Sequence, residues 1–94
     1  GIGVACYMHG CSLGSEGDDF ANSTLQIEED YGITLTSGLT DIGQGSRTVF
    51  TIIAAETLQV EPKRIHMLRP DSDTAIDSGP TVASRSTMLG GNAT

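Results

Sequence analysis

Two short segments hold the residues best suited to chemistry: Thr40-Asp41-Ile42-Gly43-Gln44-Gly45 and, about forty residues later, Gly79-Pro80-Thr81-Val82-Ala83-Ser84-Arg85. Each is expected to end at the start of a helix. The first four amides of a helix lack internal partners and carry partial positive charge, so two such ends aimed at one place would cradle a phosphorylated or otherwise anionic ligand. Gly43 and Gly45 permit positive φ and let a ligand approach the backbone, and Gln44 between them offers two donors and acceptor lone pairs without charge. The competing reading is an ordinary Gly-x-Gly turn with an exposed Gln, because a short glycine motif is weak evidence alone. No Gly-Lys-Ser or Gly-Lys-Thr follows, so the segment is not a Walker loop.

In the second segment the hydroxyls of Thr81, Ser84 and Ser86 can cap a helix or bond an anion, and Ala83 is small where a larger residue would block a planar ligand. Arg85 reads as a surface or salt-bridged arginine. Asp71, Asp73 and Asp77 lack the regular oxygen spacing of a calcium loop and its closing Glu. Cys6 and Cys11 are too far apart in sequence for a Cys-x-x-Cys pair; a zinc set of Cys6, His9, Cys11 and His66 competes with the blander, favoured reading of a buried Cys6 and a loop Cys11. No Ser-His-Asp order, carboxylate pair or Cys-His pair emerges. The expectation is a chain that holds a ligand, with no catalytic residue and no protein-held metal.

The 94 residues carry 5 basic and 12 acidic side chains, a net charge of −7. That field opposes nucleic-acid phosphates and anionic membranes, so neither is an expected partner. No stretch approaches the roughly 18 apolar residues that span a bilayer, and there is no charged-then-apolar leader; with the cysteine usage, this points to a soluble protein of a reducing, cytoplasmic compartment. The chain opens at Gly1 and stops at Gly91-Asn92-Ala93-Thr94 within a helical pattern. Residues 1–94 are therefore read as a single fragment of one domain, with some apolar faces normally covered by the rest of a longer polypeptide.

Around these segments the patterning predicts an order of βββαβα. Residues 3–9 alternate, with Ile2, Val4, Cys6 and Met8 on one face, as a first strand would. Gly14 to Asp19 is an acidic loop. Residues 21–29 and 33 onward form a hairpin turning at Asp30 to Gly32, with Leu25, Ile27, Ile33 and Leu35 inward. Ser46 to Gln59 places Val49, Phe50, Ile53, Ala54, Thr57 and Leu58 at helical spacing, ending before Pro62. Arg64 to Arg69 reads as a fourth strand and Thr81 to Asn92 as a second helix. The fold class expected is α+β: a three-stranded antiparallel start, then α-β-α, giving a mixed sheet with helices on one face.

Taken together, residues 40–48, the run Ile53-Ala54-Ala55-Glu56-Thr57-Leu58, Arg64-Ile65-His66-Met67, and Asp73-Thr74 through Gly79-Pro80-Thr81-Val82-Ala83-Ser84-Arg85-Ser86-Thr87 to Gly91-Asn92-Ala93 resemble the molybdopterin-binding region of the xanthine dehydrogenase and aldehyde oxidase family. The likeness covers the last two thirds of the chain closely and Gly1 to Met8 more loosely. It implies a domain that binds the molybdenum pyranopterin, in bacteria often as a cytosine dinucleotide, within an enzyme that hydroxylates purines, other N-heteroaromatics or aldehydes with oxygen from water. It implies cofactor contacts from Ile42, Gly43, Gln44, Thr81, Ala83, Ser84 and Ser86, with the metal held by the pterin dithiolene. The expected partners are the remainder of the molybdenum subunit and the domains or subunits carrying iron–sulfur centres and FAD, with room for homo-oligomerisation. The family's catalytic glutamate belongs to a later Gly-Glu motif that this chain does not contain, so the piece alone is expected to be inactive. The alternative is a non-catalytic α+β module that binds a phosphate-bearing ligand or a protein partner.

Overall fold

The computed structural model describes residues 1–15 and 17–94; Glu16, part of the acidic loop, lies outside the described residues. The hairpin forms as β1 (Ser23–Ile27) and β2 (Ile33–Ser37), antiparallel, with Leu25 opposite Leu35. Tyr31 takes positive φ at its turn, and the Asp30 carboxylate accepts from the Gly32 amide at 2.9 Å, the local side-chain bond that makes Asp a turn former. After β2 the chain crosses through helix α1 (Ser46–Leu58) and a single 3-10 turn (Pro62–Arg64) to β3 (Ile65–Met67), which runs parallel to β2. The sheet order is β1-β2-β3, so the hairpin and a β-α-β unit share the central strand.

The parallel register pairs Ile33 with Ile65 and Leu35 with Met67. All four are buried, and with Leu39, Phe50, Ala54 and Ala55 they make the core between sheet and α1. Helix α1 ends where Gln59 adopts a left-handed conformation and its amide turns back to the carbonyls of Ala55 and Glu56, ahead of Pro62. The mixed sheet with helical cover is the α+β architecture that the patterning predicts.

Three expected elements differ. Residues 1–9 form no strand: Ile2, Val4, Tyr7 and Met8 are exposed, and the segment pairs with neither edge of the sheet, so nothing holds it as a strand. The sheet therefore starts with two antiparallel strands, and its third is the parallel β3. Leu25 and Ile27 are exposed, at 37% and 69%, since β1 is an edge strand that α1 does not cover. The second helix begins at Ser86 rather than Thr81, as a π-helical stretch (Ser86–Gly90) running into a short α2 (Gly91–Ala93). Gly90 seats it: a Cβ there would collide with Leu39 and the Phe50 ring, so only glycine lets this backbone reach the core.

Candidate functional site

The first loop, residues 40–45, is organised around its own carboxylate. Asp41 Oδ1 accepts from the amides of Gly43 (2.9 Å) and Gly45 (3.1 Å), and Oδ2 from that of Arg47 (3.2 Å). These bonds, that from Gly43 foremost, hold the Asp41 carboxyl below its usual range. Asp41 thus already takes two amides at the start of α1, those of Gly45 and Arg47, which corrects the expectation that they are free for an external anion. The Gln44 side chain is folded back: Oε1 accepts from the Ile42 amide at 2.7 Å, while Nε2 donates to the Thr40 carbonyl (3.1 Å) and the Ser46 hydroxyl (2.6 Å). Both its donors brace the loop.

The second segment is a tight turn that leads into the second helix at Ser86, as expected of a segment ending at a helix start. The Arg85 amide donates to the Val82 carbonyl at 3.1 Å, and the two residues between, Ala83 and Ser84, have φ of 48° and 55°. Consecutive left-handed L-residues cost about 1 kcal/mol or more each, which a helix cannot absorb and a surrounding framework must. Among the described residues, no acceptor meets the amides of Ala83 and Ser84. The carbonyl of Ala83, by contrast, takes the Ser12 amide at 2.8 Å, and that of Ser84 takes the Cys11 thiol at 3.4 Å.

The framework behind the turn is Arg85. Its guanidinium is fully buried and uses four N–H groups: Nε to Asp19 Oδ1 (2.8 Å), Nη1 to the carbonyls of Ser78 (2.9 Å) and Pro80 (2.6 Å), and Nη2 to the carbonyl of Phe20. Partial burial pushes the Asp19 carboxyl up, but bonds from Arg85, the Leu13 amide and Ser12 outweigh it and hold the group below its usual range. The acidic loop, for which the sequence offered no role, thus supplies the counter-ion that lets Arg85 tie the turn to residues 19–20 and 78–80. No spacing rule could reveal a pair 66 residues apart.

The two segments meet. The Thr40 amide donates to Thr81 Oγ1 at 2.8 Å, joining one loop to the other. Beside that link lies an open cleft of about 420 Å³ lined by Ile42, Gln44, Thr81, Val82, Ala83, Ser84, Ser86 and Thr87. Six of the residues named from sequence therefore line one hollow, and Val82 and Thr87 join them unforeseen. Gly43 does not line it; its amide turns to Asp41. Cys6 and Cys11 are both free and exposed, correcting the buried Cys6. Among the described residues no group of three or more His, Cys, Asp or Glu side chains could hold a metal ion, so the zinc set is not assembled.

The model of the molybdopterin cofactor-binding domain family matches residues 1–94 of the chain. The chain belongs to that family. As a molybdopterin cofactor-binding segment it is similar to the probable hypoxanthine oxidase XdhD of Escherichia coli K12, 38% identical over 93 residues, which cover 99% of this chain and 10% of that protein. It is also similar to the putative xanthine dehydrogenase molybdenum-binding subunit XdhA of the same organism, 36% identical over 84% of this chain and 11% of that one. The crystal structure of the Cu,Mo-CO dehydrogenase in its carbon monoxide reduced state superposes with a TM-score of 0.79 at 26% identity, covering 90% of this chain and 11% of that one. The segment thus spans about a tenth of the length of the relatives it matches.

The residues present suit the group that names the family. A planar, phosphate-bearing pterin needs neutral donors, room beside a small side chain and no protein ligand to the metal. The cleft is lined by hydroxyl-bearing Thr81, Ser84, Ser86 and Thr87 and by Ala83, and among the described residues the amides of Ala83 and Ser84 have no acceptor.

Proposed function

We propose that this segment contributes cofactor contacts to the molybdenum-cofactor-binding domain of a xanthine dehydrogenase-type hydroxylase. Ile42, Gln44, Thr81, Ala83, Ser84 and Ser86 hold the pyranopterin, with Gly43 shaping the loop that carries Gln44. The observation that carries this reading is the strained Ala83–Ser84 turn, whose two residues line the cleft together with Gln44 and whose amides meet no acceptor among the described residues. Backbone strain kept by a dedicated buried clamp is most economically explained by a ligand that needs those amides.

When bound, the molybdenum cofactor supplies the two-electron chemistry that inserts water-derived oxygen into a substrate C–H bond. The chain's own part is to position it. The amides of Ala83 and Ser84 and the hydroxyls of Thr81 and Ser86 would donate to the pterin, and Gln44, folded against its own loop, would turn from it to meet the ligand. The metal needs no side chain from this segment, and the general base lies in the remainder of the subunit. Similarity to a probable hypoxanthine oxidase and to xanthine dehydrogenase subunits favours a purine or another N-heteroaromatic over an aldehyde as the substrate of the whole enzyme. Similarity to the gamma subunit of a 6-hydroxypseudooxynicotine dehydrogenase complex, at 31% identity, supports separate partners, which we assign to iron–sulfur and FAD carriers in a cytoplasmic assembly.

The test is Gln44→Ala and Ala83→Val in the complete molybdenum subunit, with Ala83→Gly as the space-preserving control. Molybdenum and pterin content per subunit should fall in the first two and hold in the third. Unchanged cofactor content and turnover in both Gln44→Ala and Ala83→Val would overturn the reading.

A further inference from the structure

The chain has five cationic side chains against twelve acidic ones, so where each cation goes is informative. Lys63 pairs with Glu61 at 2.5 Å, Arg85 with Asp19 at 2.8 Å, and Arg64 donates to the Tyr31 carbonyl at 2.5 Å. Among the described residues, Arg47 and Arg69 enter no ion pair, and both line the same pocket, about 430 Å³, with Thr40, Asp41 and Pro70. Arg47 donates through Nη2 to the Met67 carbonyl at 2.7 Å, while its Nε is buried without a partner. Two guanidinium groups in one hollow repel each other, and in an acidic protein with carboxylates to spare such an arrangement asks for an anion that is not part of this segment.

The pocket's place in the fold points the same way. Thr40 follows the end of β2 and Arg69 the end of β3, the two parallel strands, and Arg47 stands in the first turn of the helix that joins them. Crevices beyond the carboxyl ends of parallel strands are where open α/β units take ligands. The one carboxylate present, Asp41, is already engaged by three backbone amides and is held ionised, so it lowers the pocket's net charge without filling the guanidinium forks. The pocket and the cofactor cleft are built on the same loop, residues 40–44, which presents Thr40 and Asp41 to one and Ile42 and Gln44 to the other.

We infer that Arg47 and Arg69 form an oxyanion pocket that takes a phosphate of the bound cofactor, the pyrophosphate of a dinucleotide form being the best match to two forks. This rests on the cofactor lying in the neighbouring cleft. Arg69 is exposed, whereas Arg47 is anchored through its bond to the Met67 carbonyl. Arginine suits the task because its planar fork meets two phosphate oxygens at once.

The probe is inorganic pyrophosphate added to the complete molybdenum subunit prepared free of cofactor, followed by calorimetry and phosphorus NMR. Wild-type protein should bind it, more weakly as salt rises, and Arg47→Gln and Arg69→Gln should each weaken binding about tenfold, the loss expected for one charge-assisted contact. Arg64→Gln, on the far side of the sheet hairpin, should bind as wild type does. No binding by the wild-type subunit, or equal binding by both pocket variants, overturns the pocket. If both variants lose pyrophosphate yet retain full pterin and molybdenum content when made in a cofactor-producing host, the assignment to a cofactor phosphate is overturned. The cleft reading fails separately, when Ala83→Val and Gln44→Ala keep the cofactor whatever pyrophosphate does.

Discussion

Replacing Arg85 by Met should loosen the Ala83–Ser84 turn far more than any exposed substitution in the segment. The methionine keeps most of the apolar stem and deletes four donated hydrogen bonds at once. Their acceptors are not equally vulnerable. The Pro80 and Phe20 carbonyls belong to exposed residues and their bonds to Arg85 are only partly buried, and Asp19 is partly open to solvent, but Ser78 is 1% exposed and its bond is buried, so its carbonyl is left dry. A dry, unpaired acceptor costs about 1–3 kcal/mol, and breaking a buried ion pair by removing one partner costs about 3–5 kcal/mol in all. Rehydration of the exposed acceptors places the net loss near the low end, about 3 kcal/mol, and it falls on a turn that already holds two left-handed residues. The assay is amide hydrogen exchange on the complete subunit, because local opening is resolved there even when global unfolding is not two-state. Protection at Ser86–Gly90 and at β1 should drop roughly a hundredfold, the equivalent of about 3 kcal/mol, with peptides of α1 much less affected. Arg85→Lys should fall between, keeping charge and losing the fork. Protection in Arg85→Met equal to wild type, or lost evenly across the domain, would refute the view that this guanidinium holds the turn.

Acid should act on the same clamp. Asp19 and Asp41 titrate below the ordinary carboxylate value of 3.8 in the folded chain, so their contribution is present in full above that value and is lost as pH falls through the folded one. Intrinsic-rate-corrected exchange in residues 81–90 should therefore be flat from neutral pH to about pH 5 and rise below 3.8, and Asp19→Asn should blunt that rise; an onset near neutrality would contradict it. Gly90→Ala should cost about 1–3 kcal/mol through collision with Leu39 and Phe50, read as a lower unfolding midpoint of the subunit, and a neutral effect would show that the helix can move away from the core.

What the sequence could and could not announce follows from the range of the interactions involved. Helix α1, the hairpin turn at Tyr31 and the apolar pairs of β2 and β3 are local periodicity, and they appear where periodicity placed them. Strand formation by residues 1–9 required a partner as well as an alternating pattern, and the pattern alone promised more than the described residues deliver. Helical spacing of Val82, Ser86 and Leu89 hid a turn, because the residue types at 83 and 84 carry no glycine or asparagine signal for positive φ. Only a distant agent could impose that geometry, and it is Arg85 with Asp19, a contact that no window along the chain contains. The candidate site shows the same division. Its residue types were readable as hydrogen-bonding and small, whereas their roles were not: Asp41 takes two of the amides at the start of the first helix, Gln44 rests against its own loop, and the amides of the strained turn at Ala83 and Ser84 meet no acceptor among the described residues. That asymmetry has a mechanistic consequence. If the cleft holds the pterin as proposed, the Arg85-clamped Ala83–Ser84 side would set where it sits and Gln44, folded against its own loop, would close on it afterwards, making Gln44→Ala a defect of retention and Arg85→Met a defect of placement.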